Sequence, residues 1–354
     1  MRDVAVVSYA QFAARNEQSR NEIEFLLPVV KEALAPTGLT SQDMGFTVSG
    51  SSDYLAGQSF AFVSALDAVG PWPPIAESHV EMDGAFALYE AWVRLQHGDI
   101  DTALVYAFGK SSPGDIGRVL SLQLDPYLAG PLWPDAASLA ALQARVLLDS
   151  GKASEKDLAR VVARSRRSAL GNPHAQLKGE YDEAALLDEP LYADPLRKHD
   201  LPPITDGAAV IVLAAGDRAR DLCEKPVWIR GIDHRIDGQA LGSRDLSVSP
   251  STTLAGRKAG LGDIGGGVDL AELHAPFSHQ ELILTEALGL DETRTRINPS
   301  GGALASNPVM VAGLVRIGEA AARLAAGDGQ TAVAHATGGP CLQQNLVCVL
   351  EADK

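Results

Sequence analysis

Two rhythms of apolar and polar residues alternate along the chain. Short Val/Ile/Leu-rich runs bounded by glycine read as strands, and longer Ala-rich amphipathic runs read as helices. MRDVAVVSYA opens as a strand, and NEIEFLLPVVKEALAPTG follows as a helix closed by Pro-Thr-Gly. MGFTVSGSSDYL is a second strand and a loop. ESHVEMDGAFALYEAW, from Glu77 to Trp92, passes from a polar strand through Asp83-Gly84 into a small-residue helix. VRLQHGDIDTALVYAFGK ends that helix and climbs an apolar strand, and ITDGAAVIVLAAGDRA is another clear strand. From about Ser111 to Asp200 the chain is rich in Pro, Leu and Arg, and DLARVVARSRRSALGNPHAQ carries a helical pattern ended by Gly-Asn-Pro. This region reads as an insertion of loops and helices over an α/β core.

The pattern also repeats. GDIDTALVYA (Gly98 to Ala107) aligns with GDGQTAVAHA (Gly327 to Ala336), and each follows an Ala-rich helix. The shared offset places Gly84 on Gly313, so a duplicated α/β unit is expected. The halves are expected at 1–218, with the insertion at about 111–200, and at 219–354.

Composition narrows the function class. The 354 residues are 46% apolar and 21% charged, with a net charge of −15. Nucleic acid and anionic membranes are therefore not expected partners. No apolar run reaches the roughly 18 residues of a membrane span, and the amino terminus turns polar too early for a signal peptide. A cytoplasmic location is the expectation. Three cysteines without CxxC or Cys/His spacing predict neither a disulfide framework nor a zinc site.

Candidate chemistry lies at strand–helix junctions. In INPSGGALASNPVMVAGL, Gly301 and Gly302 either bring backbone amides close to a ligand or make a tight turn. In VDLAELHAPFSHQELILTEALGL, His274 follows a strand, where a side chain points into a cleft. His279 and Glu281 start the helix and are expected to face solvent. HATGGPCLQQNLVCVLE supplies Gly338-Gly339 and the nearby Cys341. Tyr54 is expected to pack in its loop, His79 to be structural and His234 to lie at the surface or beside a cofactor. Arg164, Arg166 and Arg167 read as a solvated helix face.

Together these segments resemble the thiolase superfamily over essentially the whole chain, in particular its sterol carrier protein X-type and lipid-transfer branch. ITDGAAVIVLA resembles the family's S-D-G-A-A strand, LHAPFS its histidine block and NPSGGALASNP its N-x-x-G-G-x-x-A-x-G-H-P block. RDLSVSPSTTLAGRKA, which contains Ser251, resembles the segment that runs close to coenzyme A. The resemblance implies two duplicated halves stacked into five α/β/α/β/α layers with an inserted loop domain. It also implies a coenzyme A thioester as substrate, with no separate cofactor and no metal, and contacts from Gly301, Gly302, Gly338, Gly339 and Ser251.

The departures define the expected reaction. Where thiolases carry the nucleophile in C-x-S-G-x-x-A-L, this chain reads E-M-D-G-A-F-A-L, with Glu81 at the cysteine and Asp83 nearby. Asn307 replaces the G-H-P histidine, and Cys341 stands two residues beyond the second cysteine's place near Gly339. A carboxylate cannot hold an acyl group as a thioester. Retro-aldol cleavage needs only a base and donors for an enolate. SHVEMDGAFALYEAW, YAFGKSSPGD and LDPYLAGPLWPD resemble actinobacterial thiolase-like aldolases of steroid side-chain breakdown, whose partner is a small OB-fold protein. Better-known members have tyrosines where this chain has His274 and a residue near Asn307-Pro308. The resemblance thus implies an aldolase on a β-hydroxyacyl-CoA, with His274 the first candidate base, then Glu81 and Asp83, and Asn307 a donor. A homodimer, or a heteromer with an OB-fold partner, is implied as well. The alternatives are a non-catalytic acyl-CoA-binding subunit or a residual acyltransferase using Cys341.

Overall fold

A computed structural model describes residues 1–70, 76–263 and 267–353. Its twelve strands are β1 (Val4–Ala14), β2 (Phe46–Gly50), β3 (Glu77–Val80), β4 (Thr102–Gly109), β5 (Leu191–Ala193), β6 (Leu196–Arg197), β7 (Asp206–Ala215), β8 (Val227–Ile236), β9 (Leu270–Leu273), β10 (Arg296–Ile297), β11 (Thr331–Gly338) and β12 (Gln344–Ala352). Ten of them hydrogen-bond in the order β10-β9-β11-β12-β8-β1-β7-β4-β2-β3.

That order hides a two-fold repeat. Between β1 and β8 only Ala5↔Trp228 and Val6↔Val227 pair, so this is a seam between two five-stranded leaves. Outward from the seam one leaf runs β1-β7-β4-β2-β3 and the other β8-β12-β11-β9-β10. In each leaf the first two neighbouring pairs are antiparallel and the last two parallel. The duplication expected from the Gly84–Gly313 offset is therefore present. The helices at those glycines, Gly84–Gln96, which starts at Gly84, and Ala312–Ala325, which starts one residue before Gly313, are equivalent.

Strand alternation divides the core into layers. In β4, Ala103, Val105 and Ala107 face a central cluster, and Leu104, Tyr106 and Phe108 an outer one. The central cluster contains both small-residue helices and the inner faces of both leaves. The helix Glu22–Leu34 covers the outside of the first leaf, and Pro250–Lys258 with Ser278–Ala287 covers the second. This gives the five expected layers. Small residues permit the central contact, because a Cβ on Gly84 would come within 2.5 Å of Ala107 Cβ.

The insertion joins β4 to β7, where the second leaf has only a short turn between β11 and β12. It contributes the helices Ile116–Leu122, Ala136–Asp149, Glu155–Ser168 and Glu183–Leu187 and the β5–β6 ribbon. The helix Glu155–Ser168 packs on Ser278–Ala287. The packing of the insertion's helices on the second half corrects two expectations. His279 and Glu281 are buried, not solvent-facing, because His279 meets Gln143 at 3.2 Å and Glu281 pairs with Arg164. Arg166 is also buried and donates to the Leu304 carbonyl, leaving Arg167 as the outward member of the three.

Candidate active site

His274 follows directly from β9. Its backbone N–H donates to the His335 carbonyl, which extends the β9–β11 pairing by one residue. The Thr337 N–H lies 3.4 Å from Nδ1, so Nε2 carries the proton and donates to Asn307 Oδ1 at 3.1 Å. Burial, then the nearby His335 and Arg316, push the His274 pKa down to about 3, and the bond to Asn307 only partly opposes this. The ring is neutral at physiological pH and presents a fixed N–H.

The Asn307 loop lies across the turn that begins at Glu81. Gly84 N–H donates to the Met310 carbonyl at 2.9 Å. A Cβ on Gly109 would meet the Val309 carbonyl oxygen at 2.2 Å, so the loop needs glycine there. Asp83 joins the two elements more firmly. Its carboxylate accepts the N–H groups of Ala85, Gly313 and Leu314 at 2.8–3.0 Å, capping both central helices from one buried position. It is fully engaged as a cap. Met82 reaches Gly338, where a Cβ would sit 3.8 Å from Met82 Cε. Thus the Glu81–Gly84 turn, His274, Asn307 and Thr337-Gly338 surround one region.

Glu81 itself is half-exposed and turns to a neighbouring group. Its Oε1 accepts the Asp53 N–H at 2.7 Å, and Oε2 lies 3.4 Å from His79 Nε2. The other glycines divide. Gly301 and Gly302 take left-handed φ values of 97° and 66°, yet both are buried under the helix Glu155–Ser168. Their amides go to the Asn298 carbonyl and Ser300 Oγ, so they shape a turn and do not offer donors to a ligand. Gly339 is exposed with φ 69°. Ser251 is buried, donating to Asp237 Oδ2 at 2.5 Å and accepting from Asn345 Nδ2 at 2.7 Å. Cys341 is buried with its thiol pushed up to about 11, and its Sγ donates to the Leu139 carbonyl. Tyr54 is 56% exposed, not packed, and His234 sits edge-on between Phe86 and Tyr89. A cavity of about 650 Å³ lined by Thr253, Arg257, Glu286 and Arg294 includes none of the candidate site residues.

Sequence reasoning missed the scaffold under His274. Asn298 Oδ1 accepts the Leu273 N–H at 2.6 Å, while its amide donates to buried Glu281. Glu272 accepts from Ser300 N–H, Ser300 Oγ and Arg316, all fully buried. The available signal was a charge inside an apolar run, Glu272 in LAEL and Arg316 in GLVRIG.

No protein-family model matches the chain. It is 30% identical over 202 residues to an acetyl-CoA acetyltransferase of Methanothermobacter thermautotrophicus, covering 51% of this chain and 53% of that one. The chain thus spans about half the length of that relative. It is 28% identical over 311 residues to the 17-hydroxy-3-oxo-4-pregnene-20-carboxyl-CoA lyase of Mycobacterium tuberculosis, covering 80% and 78%. Among solved structures, an Ltp2-ChsH2(DUF35) aldolase superposes with a TM-score of 0.80 at 19% identity, over 99% and 98%. The human mitochondrial 3-ketoacyl-CoA thiolase superposes with a TM-score of 0.77 at 18% identity, over 100% and 99%. These two share the fold.

Proposed function

We propose that the chain, which has the thiolase fold, is a member of the thiolase superfamily with Glu81 in place of the family's attacking sulfur, and that it is an aldolase cleaving a β-hydroxyacyl-CoA; its similarity to the mycobacterial lyase supports this reading. The observation that carries this reading is the neutral, buried His274 held against Asn307 beside the Glu81 turn. A nitrogen with a pKa near 3 is a weak base, so His274 serves as a donor. On substrate binding the thioester oxygen takes over the Nε2–H that Asn307 Oδ1 accepts in this structure, with the Asn307 amide N–H as a second donor as charge develops there. Glu81, on the neighbouring turn, is the proposed base for the β-hydroxyl proton. The Cα–Cβ bond then breaks, its electron pair passes to the thioester enolate, and the hydroxyl-bearing carbon leaves as an aldehyde or ketone. Reprotonation of Cα releases the shorter acyl-CoA.

A steroid side chain is the proposed acyl group, supported by the similarity to the mycobacterial lyase. A small OB-fold protein is the proposed partner, and a homodimer through the outer edge of β3 is the proposed assembly. Neither alternative use of the pocket has comparable support. Cys341 is too buried and too weakly acidic to supply a thiolate. A silent binding subunit would have no need of a donor pair held this firmly.

Purified chain, alone and with an OB-fold partner, should convert a β-hydroxyacyl-CoA into a carbonyl compound and a shorter acyl-CoA. His274→Ala is expected to lower kcat roughly 10²- to 10³-fold, the usual loss for one oxyanion donor. Unchanged turnover in both His274→Ala and Glu81→Ala would remove the assignment.

A further inference from the structure

Glu81 has neighbours that the aldolase reading does not use. Glu77, His79 and Glu81 alternate along and just beyond β3, which places them on one face, and Asp53 joins them from the helix Asp53–Ala56. One oxygen each of Asp53 and Glu81 and one ring nitrogen of His79 lie within 4.8 Å of one another. The His79 ring is held twice. It stacks on Phe62 with centroids 4.4 Å apart, and Nδ1 lies 3.0 Å from Ser49 Oγ. Nε2 is left facing Glu81 Oε2 at 3.4 Å. That is about the separation of two ligands in a tetrahedral shell with bonds of about 2.1 Å.

Charge balance is a second, separate observation. Among the described residues, Asp53, Glu77 and Glu81 make no ion pair with Lys or Arg; Glu81 pairs with His79 alone. Ser51 Oγ and Ser52 Oγ, on the connection from β2 to Asp53, and Glu77 Oε1, at the start of β3, are buried without a hydrogen-bond partner. Ser51 and Ser52 are 1% and 3% exposed and stand directly before Asp53. The corner is rich in oxygen acceptors and short of positive charge.

We propose that Asp53, His79 and Glu81 form a binding site for a divalent transition-metal cation of the zinc class, with at least one coordination position left for water. Imidazole and carboxylate ligands suit such ions, and the two carboxylates balance the charge. Ser49 accepts the Nδ1–H of a ligating His79, the outer contact that metal-bound histidines require. Glu81 keeps its bond to Asp53 N–H through Oε1 while Oε2 ligates. Asp53 accepts one N–H on each oxygen, from Phe60 and Ala61, and each retains a lone pair. The site escapes cysteine-based spacing rules because its ligands come from two separate segments without a thiol.

Equilibrium dialysis of the full chain against zinc tests this directly. One zinc per chain is expected at micromolar affinity, weakened at least tenfold in His79→Ala and in Asp53→Asn. Cobalt(II), a paramagnetic substitute, should broaden the ring signals of His79 ahead of those of the other histidines in the unmodified chain, which needs no variant to fold. Absence of stoichiometric zinc, affinity in the two variants unchanged from that of the unmodified chain, or broadening centred on other histidines overturns the site. A bound ion would take the Glu81 oxygen that the aldolase reading uses as a base, so the two roles belong to the metal-bound and metal-free chain; the readout here is binding, not turnover, and tests the site separately from the aldolase assignment.

Discussion

Asp83 illustrates how a candidate catalytic carboxylate becomes a structural one. Its two oxygens take three N–H groups from the starts of two helices, one in each half, at a fully buried position. Removing it leaves those donors without partners in the core. Asp83→Ala is therefore expected to cost at least about 3 kcal/mol, since each of the three stranded buried donors costs about 1–3 kcal/mol. Urea denaturation checks the value, and a change below about 0.5 kcal/mol would contradict the capping role. At this scale the sequence was legible wherever a residue type is constrained by its own turn. Gly84 and Gly313 were placed in register, and His274 was placed at the end of a strand. It was not legible where identity depends on distant neighbours, because nothing within MDGAF shows that Asp83 binds a helix 230 residues away.

At the level of elements, most strands of the first leaf and the two central helices were readable from their periodicity, while β8 and the two-residue β10 were not. The burial of the helix Ser278–Ala287 was not. Its polar first turn, SHQE, looks solvated until the insertion is laid over it and supplies Gln143 and Arg164. That covering also explains how the His274 loop keeps its shape. Arg164 holds Glu281, Glu281 holds the Asn298 amide, and Asn298 fixes the N–H of Leu273 immediately before the histidine. Asn298→Ala should lower kcat while leaving KM nearly unchanged, because it loosens a donor without touching substrate. A selective rise in KM would show that the loop contacts the substrate instead. The left-handed φ of Asn298, 47°, adds to the cost of any β-branched replacement.

For the whole molecule, the buried imidazoles govern the response to acid. Desolvation lowers His274 and His279 to about 3 and His335 to about 4, below the ordinary value near 6.5. Between those limits the unfolded chain binds more protons than the folded one, so stability falls as pH drops from about 6.5 toward 4. Each histidine contributes up to about 1.4 kcal/mol per pH unit in that window. Glu272 and Glu281, raised by burial, act in the opposite sense, but each also faces an arginine that restrains the shift. Melting temperatures measured from pH 7 to pH 4 should therefore fall steadily, and a flat profile would contradict three neutral buried rings. The overall architecture was legible because the duplication is written twice in the chain. The insertion's role was less so, since its function is to cover surfaces formed elsewhere.

The seam between the leaves bears on whether either half can stand alone. Only two residue pairs join β1 to β8, while the central cluster draws side chains from both halves at once. A solitary half would expose the apolar side of its leaf and most of one small-residue helix to water. A half produced by itself is therefore expected to pair with a second copy and not to persist as a monomer, which its sedimentation would show.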